Sequence, residues 1–501
     1  MHLPGMSIRA FPLAKAKTLP SQRSSLFILV TFEARVKSQQ ALSALSDDIR
    51  ARAKTSLDRC LESPKAGALH QVGALTTKDS DFTISILPKD LSAFSLLGFA
   101  KKILKSFLLD NHTQLILILD GFKEEDLFAD CFGSALAARI FQMPVVGKKQ
   151  VDAKAFKLKD VYLYGGKKAG QLMTEGFHKG NGTNVVRYLG TLPPNVLDAK
   201  DYGARIKKIC QKLGFDFKFH SNKDLKKMGA GSFIAVDQGD PESGGGIYEL
   251  TYSPRGAKNK NAIALVGKGL CFDTGGYDIK TGGFMRTMKG DMQGSAVALS
   301  TMMTAAAMKL PLKLKAFLGI TANHISPKAY TADEVVVAMN GVSIEVVNTD
   351  AEGRMVLADT LCLANESKPI MMVDFATLTG SAVRSIGTAY GVGFTNEEKL
   401  HSRILSCGRE SGERVWTFPL DDDFDKPLES PIADTLQCTK GPGPDHIYAA
   451  RFLKKFVGQT PWVHIDLSAA ENEGGLAHTD SLFTGFGVRW TVEFLRTQFK
   501  V

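Results

Sequence analysis

The sequence has no apolar run long enough to cross a membrane. Its longest, 26–30 (LFILV) and 115–119 (LILIL), are strand-length, whereas a spanning helix needs about 20 such residues. The first 20 residues carry basic groups without a continuous apolar core, so no secretory signal is expected. The ten histidines form no HExxH or paired pattern, which leaves a histidine-ligated zinc site without support. The seven cysteines, Cys60, Cys131, Cys210, Cys271, Cys362, Cys407 and Cys438, are odd in number and scattered, with no CxxC pair. That excludes a zinc finger or a disulfide framework and fits reduced thiols in the cytoplasm. There is no internal repeat and no low-complexity tract.

What is present is the composition of a globular enzyme-sized chain. A length of 501 residues exceeds one ordinary core, so two domains are expected. The net charge of +10 is uneven: residues 1–190 hold 27 Lys+Arg against 17 Asp+Glu, and 191–501 hold 35 of each. A solvated basic surface explains this; the sharper reading is a patch for DNA or another polyanion, which no nucleic-acid-binding motif supports.

Periodicity predicts an α/β protein. Strands are expected at 25–31, 114–119 and 161–164, and helices at 42–61 and 93–110. A linking helix over 167–189 runs into Thr191-Leu192-Pro193-Pro194-Asn195, which stops it. The expected organisation is a small N-terminal α/β domain (1–165), a linker helix (166–190) and a larger catalytic α/β domain (191–501). In the latter, strands at 262–266, 314–320, 344–347, 371–375 and 463–467 alternate with helices at 294–308, 355–365 and 446–457. Such alternation argues for a central, mostly parallel sheet, whose ligands collect at the carboxyl ends of its strands.

Two segments carry the chemistry. In Gly267-Lys268-Gly269-Leu270-Cys271-Phe272-Asp273-Thr274-Gly275-Gly276, the strand 262–266 is expected to deliver Lys268 to the sheet's edge and Asp273 just beyond, with Lys280 and Asp291 following. In Asn348-Thr349-Asp350-Ala351-Glu352-Gly353-Arg354, the period-two spacing of Asp350 and Glu352 at a strand end lets both carboxylates face one point. Any one of these carboxylates alone reads as a helix cap or turn residue, and Lys280 alone as a surface lysine. Four converging carboxylates repel unless divalent cations neutralise them, and four suit two ions better than one. A paired-metal site can activate a bridging water and clamp a carbonyl oxygen. One of the two lysines can serve as a neutral ligand, at about 5 kcal/mol for deprotonation that metal binding offsets. The other can stay charged and polarise a substrate carbonyl.

The segments VGKGLCFDTGGYDIK (266–280), MKGDMQGSA (288–296) and NTDAEGRMVLADTL (348–361) resemble the signature of the cytosol leucine aminopeptidase family. ATLTG (376–380) and GFGVRWTVEFL (485–495) are similar too. The resemblance is strong over about 260–495 and faint before about 185. It implies a leucyl-type metalloaminopeptidase that releases N-terminal residues from peptides. Lys268, Asp273, Asp291 and Glu352 would hold a tighter metal ion, and Asp273, Asp350 and Glu352 an exchangeable one. Zinc or manganese is expected, with magnesium or cobalt as alternatives. The resemblance further implies that Lys280 stabilises the oxyanion and that Arg354 binds a bicarbonate ion acting as general base. Thr377, Leu378, Thr379 and Gly380 would lie along the substrate main chain. Met288, Thr379 and Thr484 would line the pocket for the first side chain. A cytoplasmic homohexamer is implied as well.

The departures lie around these positions. Phe284 and Arg286 add bulk and charge, Gln293 and Ser295 differ at the next helix start, and CTKGPGPDH (438–446) is unlike the usual Gly- and Ala-rich stretch. Arg286 either favours acidic residues near the substrate N-terminus or pairs with a nearby carboxylate. Two further readings remain at this point: a DNA-binding accessory role and a hydrolase of small amides.

Overall fold

The computed structural model describes residues 156–501, apart from 241 and 243. Before them it describes 6–12, 25–32, 51, 70–76, 80–88, 91–105, 112–120 and 122–147. Apart from residue 51, the helix expected over 42–61, Cys60 included, lies outside the described residues. The other six cysteines are free and buried. Among the described residues no helix is long and apolar enough to cross a membrane.

The chain divides into two compact units. The first comprises residues 1–184 with 476–479, the second 185–475 with 480–501. The division falls inside the helix Ala169–Thr191, which ends where the prolines 193 and 194 prevent its continuation.

The first unit is built on a six-stranded sheet of β1 (Ser7–Pro12), β2 (Ser25–Phe32), β3 (His70–Thr76), β4 (Ser80–Leu87), β5 (Gln114–Leu119) and β6 (Asp160–Gly165). Their order is β1-β6-β5-β2-β4-β3, parallel except for the β3–β4 pair. β2 and β5 are nearly all apolar because both faces of a parallel sheet are covered; Leu26, Ile28, Leu115 and Leu117 join one core with the helices Ala93–Lys105 and Glu125–Ile140.

The second unit holds the remaining strands: β7 (Asp216–Ser221), β8 (Gly246–Tyr252), β9 (Ile263–Asp273), β10 (Leu314–Asn323), β11 (Val335–Val337), β12 (Ser343–Glu345), β13 (Met371–Ala376), β14 (Gly391–Thr395), β15 (Val415–Thr417), β16 (Thr435–Leu436) and β17 (Trp462–Asp466). Its main sheet has the order β15-β14-β17-β13-β9-β10-β8-β7. The central run β17-β13-β9-β10 is parallel, while β14 against β17, β8 against β10 and β7 against β8 are antiparallel. The expected mostly parallel sheet is therefore its centre, and its flanks are mixed. Helices Gln293–Ala307 and Glu352–Glu366 are buried along most of their length. Val266, Met355, Val356 and Met372 belong to one continuous core around these parallel strands.

Two local expectations change. β9 does not stop at residue 266 but runs on to Asp273, so Lys268 sits inside the strand and Asp273 ends it. The turn begins with Gly275 and Gly276, whose φ values of 87° and 64° are open to glycine without strain. Asp350 and Glu352 do not continue a strand: β12 ends at Glu345, Asp350 lies in the following turn, and Glu352 is the first residue of the helix. A turn into a helix start, not the period of a strand, brings their carboxylates together.

Candidate metal centre

The centre forms where β9 ends, between three chain segments of the second unit. β9 brings Lys268 and Asp273, the short 3-10 turn Met288–Gly290 brings Asp291 directly after it, and the turn before helix Glu352–Glu366 brings Asp350 and Glu352. Lys268, Asp273, Asp291 and Glu352 are all buried. Donor oxygens of Asp273, Asp350 and Glu352 lie within 4.8 Å of one another.

The lysines interleave with these acids. Lys268 Nζ is 2.8 Å from Asp291 Oδ1 and 3.0 Å from Glu352 Oε1, and donates to Thr377 O at 2.9 Å. Three acceptors thus meet the three hydrogens of an ammonium. A Cβ on Gly353 would stand 2.6 Å from that amine, so a larger residue there would push the Lys268 side chain out of this position. Lys280 Nζ reaches Asp273 Oδ2 at 2.9 Å and Asp350 Oδ1 at 2.6 Å. Sequence reasoning therefore identified a group of residues that the fold brings together.

Burial and then Asp273 raise the Glu352 carboxyl to about 8, against the opposing pull of Lys268. Burial raises Asp291 to about 6, with Lys268 opposing, and burial with Asp273 also raises Asp350. Burial works to lower both lysines. The neighbouring carboxylates outweigh it, so Lys268 and Lys280 stand above the ordinary lysine value. Asp291 Oδ2 and Glu352 Oε2 are buried with no hydrogen-bond partner among the described residues. Buried acceptors left open in a cluster of carboxylates are the donor set that hard divalent cations take.

Several positioning residues escaped the sequence reading. Asn323, paired with Asp273 at the ends of β10 and β9, donates to Asp273 Oδ1 at 2.9 Å and to Thr349 O at 3.0 Å. Its place at the carboxyl end of a central strand was the available signal. Asp278 Oδ2 accepts from Thr349 N at 2.7 Å and pins the turn that carries Asp350.

Thr377 Oγ1 donates to Asp291 Oδ1 at 2.7 Å, which places the 377–380 segment directly beside the centre. Leu378 N and Thr379 Oγ1 donate to the two oxygens of Asp466, at 3.1 and 2.8 Å. Thr379 also caps the helix Gly380–Ile386. Met288 opens the 3-10 turn that leads to Asp291, and Thr484 is buried with its hydroxyl on Ala469 O at 2.7 Å. Met288 meets the acidic cluster through its backbone, its carbonyl accepting from Asp291 N at 3.2 Å, whereas Thr484 makes no hydrogen bond to the cluster among the described residues. Arg286 is exposed and makes no ion pair among the described residues, which leaves its charge open to a ligand.

Arg354, expected to bind an anion, pairs within the chain. It is buried on the first turn of the Glu352–Glu366 helix, and its Nη2 donates to both oxygens of Asp445, at 2.9 and 2.8 Å. Nη1 donates to Gln437 O at 3.2 Å. Burial works to lower the Arg354 pKa, but Asp445 outweighs it and raises it.

Comparison with known proteins identifies the family. Residues 184–492 match the model of the cytosol aminopeptidase family, catalytic domain. The chain is 39% identical over 318 residues to a probable cytosol aminopeptidase of Afipia carboxidovorans; the match spans 62% of this chain and 62% of that relative, less than two thirds of its length. A probable cytosol aminopeptidase of Aquifex aeolicus is 36% identical over 351 residues, 70% of each chain. Among solved structures, the bottromycin maturation enzyme BotP in complex with Mn superposes with a TM-score of 0.78 at 25% identity, covering 95% of this chain and 99% of that one. The matched region takes in β9, the Asp291 turn and the Glu352 helix together, and on that ground the chain belongs to the cytosol aminopeptidase family.

Proposed function

We propose that the protein is a metal-dependent aminopeptidase that removes N-terminal residues from peptides. The observation that carries this reading is the cluster of buried Lys268, Asp273, Asp291 and Glu352 with half-buried Asp350, in which Asp291 Oδ2 and Glu352 Oε2 are left open. Those residues fit two divalent ions, with Lys268, Asp273, Asp291 and Glu352 holding one and Asp273, Asp350 and Glu352 the other. Zinc or manganese suits this mixed nitrogen and oxygen donor set, with magnesium and cobalt as alternatives, and the manganese of BotP favours manganese. Such a pair would acidify a water and polarise a carbonyl near neutral pH.

Lys280, which faces Asp273 and Asp350, would stabilise the oxyanion that develops on the attacked carbonyl. Thr377, Leu378, Thr379 and Gly380 would align the substrate main chain, the first two anchored to Asp291 and Asp466. Met288, Thr379 and Thr484 would shape the pocket for the first side chain, and leucyl-type preference follows from the family resemblance alone.

Bicarbonate on Arg354 does not fit the side chains as they stand. Both two-point faces of a guanidinium, Nη1–Nη2 and Nε–Nη2, include Nη2, on which both Asp445 oxygens converge, so Nε is left buried with no partner among the described residues and no two-point face is free. We place the protein in the cytoplasm as a homohexamer on the family resemblance; molar mass by light scattering tests the assembly. A DNA-binding role rests only on the basic balance of residues 1–190, and salt-dependent retention on DNA tests it.

The deciding experiment is hydrolysis of aminoacyl-p-nitroanilides after chelation and replacement with each ion in turn. Activity lost on chelation and restored by one or two of the ions is expected. Hydrolysis that survives complete metal removal, or none with any ion, overturns the reading.

A further inference from the structure

We propose that Asp445 supplies from within the chain the carboxylate that faces Arg354 beside the metal centre, so that turnover needs no bicarbonate. This rests on the aminopeptidase reading above. The first observation is the contact itself: Arg354 is buried, and both Asp445 oxygens stand within 2.9 Å of Nη2. Gln437 links the pair to the centre: its carbonyl accepts from Arg354 Nη1 at 3.2 Å, and its side chain bonds Ala351 O, between Asp350 and Glu352.

The second observation is how Asp445 is held. Gln437 Nε2 donates to Ala351 O at 3.1 Å, and its Oε1 accepts from Val347 N and Asn348 N at 3.1 Å each. The segment leading to Asp445 is thereby fastened to the turn that carries Asp350 and Glu352. Pro442 and Pro444 then restrict the chain, Asp445 N donates to Gly443 O at 2.9 Å, and Asp445 opens the helix Asp445–Lys454. A carboxylate is favoured at a helix start. Its side chain keeps 36% exposure while Arg354 keeps 3%, so the acid presents an open edge and the guanidinium behind it does not.

The third observation is chemical. Carboxylate and hydrogencarbonate present the same planar O–C–O group to a guanidinium, so one excludes the other from Nη2. In the proposed step the attacking water gives a proton to an Asp445 oxygen as its own oxygen bonds to the peptide carbonyl carbon. The same proton passes to the amine nitrogen as the C–N bond breaks, and Asp445 returns to its ionised form. No co-reactant is consumed. Arg354 acts by orienting Asp445, and the CTKGPGPDH stretch, which sets this chain apart from the family pattern, acquires a role.

The test uses the metal-loaded enzyme in carbonate-free buffer, as wild type, Asp445→Gly and Asp445→Asn, with bicarbonate or formate added back. The wild-type rate stays unchanged by bicarbonate. Asp445→Gly loses about 10²–10⁴ in kcat, the usual worth of a positioned base, with KM little altered, and bicarbonate or formate restores part of it. Asp445→Asn keeps the side-chain volume, loses the base and resists rescue. A readout independent of turnover is melting temperature in metal-free protein: bicarbonate raises it for Asp445→Gly and not for wild type. The inference is overturned if bicarbonate accelerates the wild type, or if Asp445→Gly keeps full activity without it. It is also overturned if Asp445→Gly loses activity with neither rescue nor a bicarbonate-dependent melting shift, since the ion pair then only fastens a helix. Absence of hydrolysis in every form counts against the aminopeptidase reading instead, and the melting shift still reports on the anion site.

Discussion

Replacing Lys268 with methionine tests the most demanding feature of the metal centre, an amine that must change its protonation state to bind an ion. In the metal-free protein its three hydrogens point at Asp291, Glu352 and Thr377 O, at 2.8, 3.0 and 2.9 Å. Deprotonating an ordinary lysine at pH 7 costs about 5 kcal/mol, and here the surrounding acids make the cost larger. Metal binding supplies on the order of 10–16 kcal/mol at a well-formed site, so the exchange of a proton for an ion is affordable but must appear in the titration. Glu352, raised to about 8, holds a proton near pH 7 that an ion also displaces. Filling both sites near neutrality should therefore release about two protons. Calorimetric titration in two buffers of different ionisation enthalpy counts them. Lys268→Met should release about one fewer, bind one ion fewer by elemental analysis, and lose about 3–5 kcal/mol of stability in chelator, the cost of removing one partner from a buried pair. Equal proton release and equal ion count in the two proteins would refute the assignment of Lys268 as a ligand.

Lys280→Ala should slow turnover by about 10²–10³, the worth of one oxyanion donor, while elemental analysis still finds both ions; full turnover would remove its assigned role. Asp291→Ala and Glu352→Ala should each abolish peptide hydrolysis and lower the metal content. Stability of the metal-free protein should depend on pH in a defined direction. Asp291 and Glu352 sit above ordinary carboxyl values, at about 6 and about 8. Their contribution is thus present below about pH 4 and is lost as pH rises through about 6 and then about 8. Melting scans in chelator should show that decline, and excess metal should flatten it. Arg286→Asp should lower the rate on Glu-amide relative to Leu-amide substrates if the exposed guanidinium meets acidic substrates; an unchanged ratio assigns it to the surface.

The chain's own order of residues determined the α/β class, the strands β5 and β13 almost to their ends, and the five residues that the fold gathers into one acidic cluster. Those follow from local rules: apolar runs covered on both faces become parallel strands, and acids beside glycines at strand ends gather where parallel strands terminate. Tertiary structure decided what local rules cannot reach. The extension of β9 through Lys268 depends on pairing with β10, which continues past the last β13 partner at Gly267, and the helix start at Glu352 depends on the turn pinned by Asp278 and Gln437. The partnership of Arg354 with Asp445 joins positions 91 residues apart, and no spacing in a sequence encodes which anion will fill a guanidinium fork. Only the folded chain brings the two together, because the hydrogen bonds of Gln437 set the distance between them.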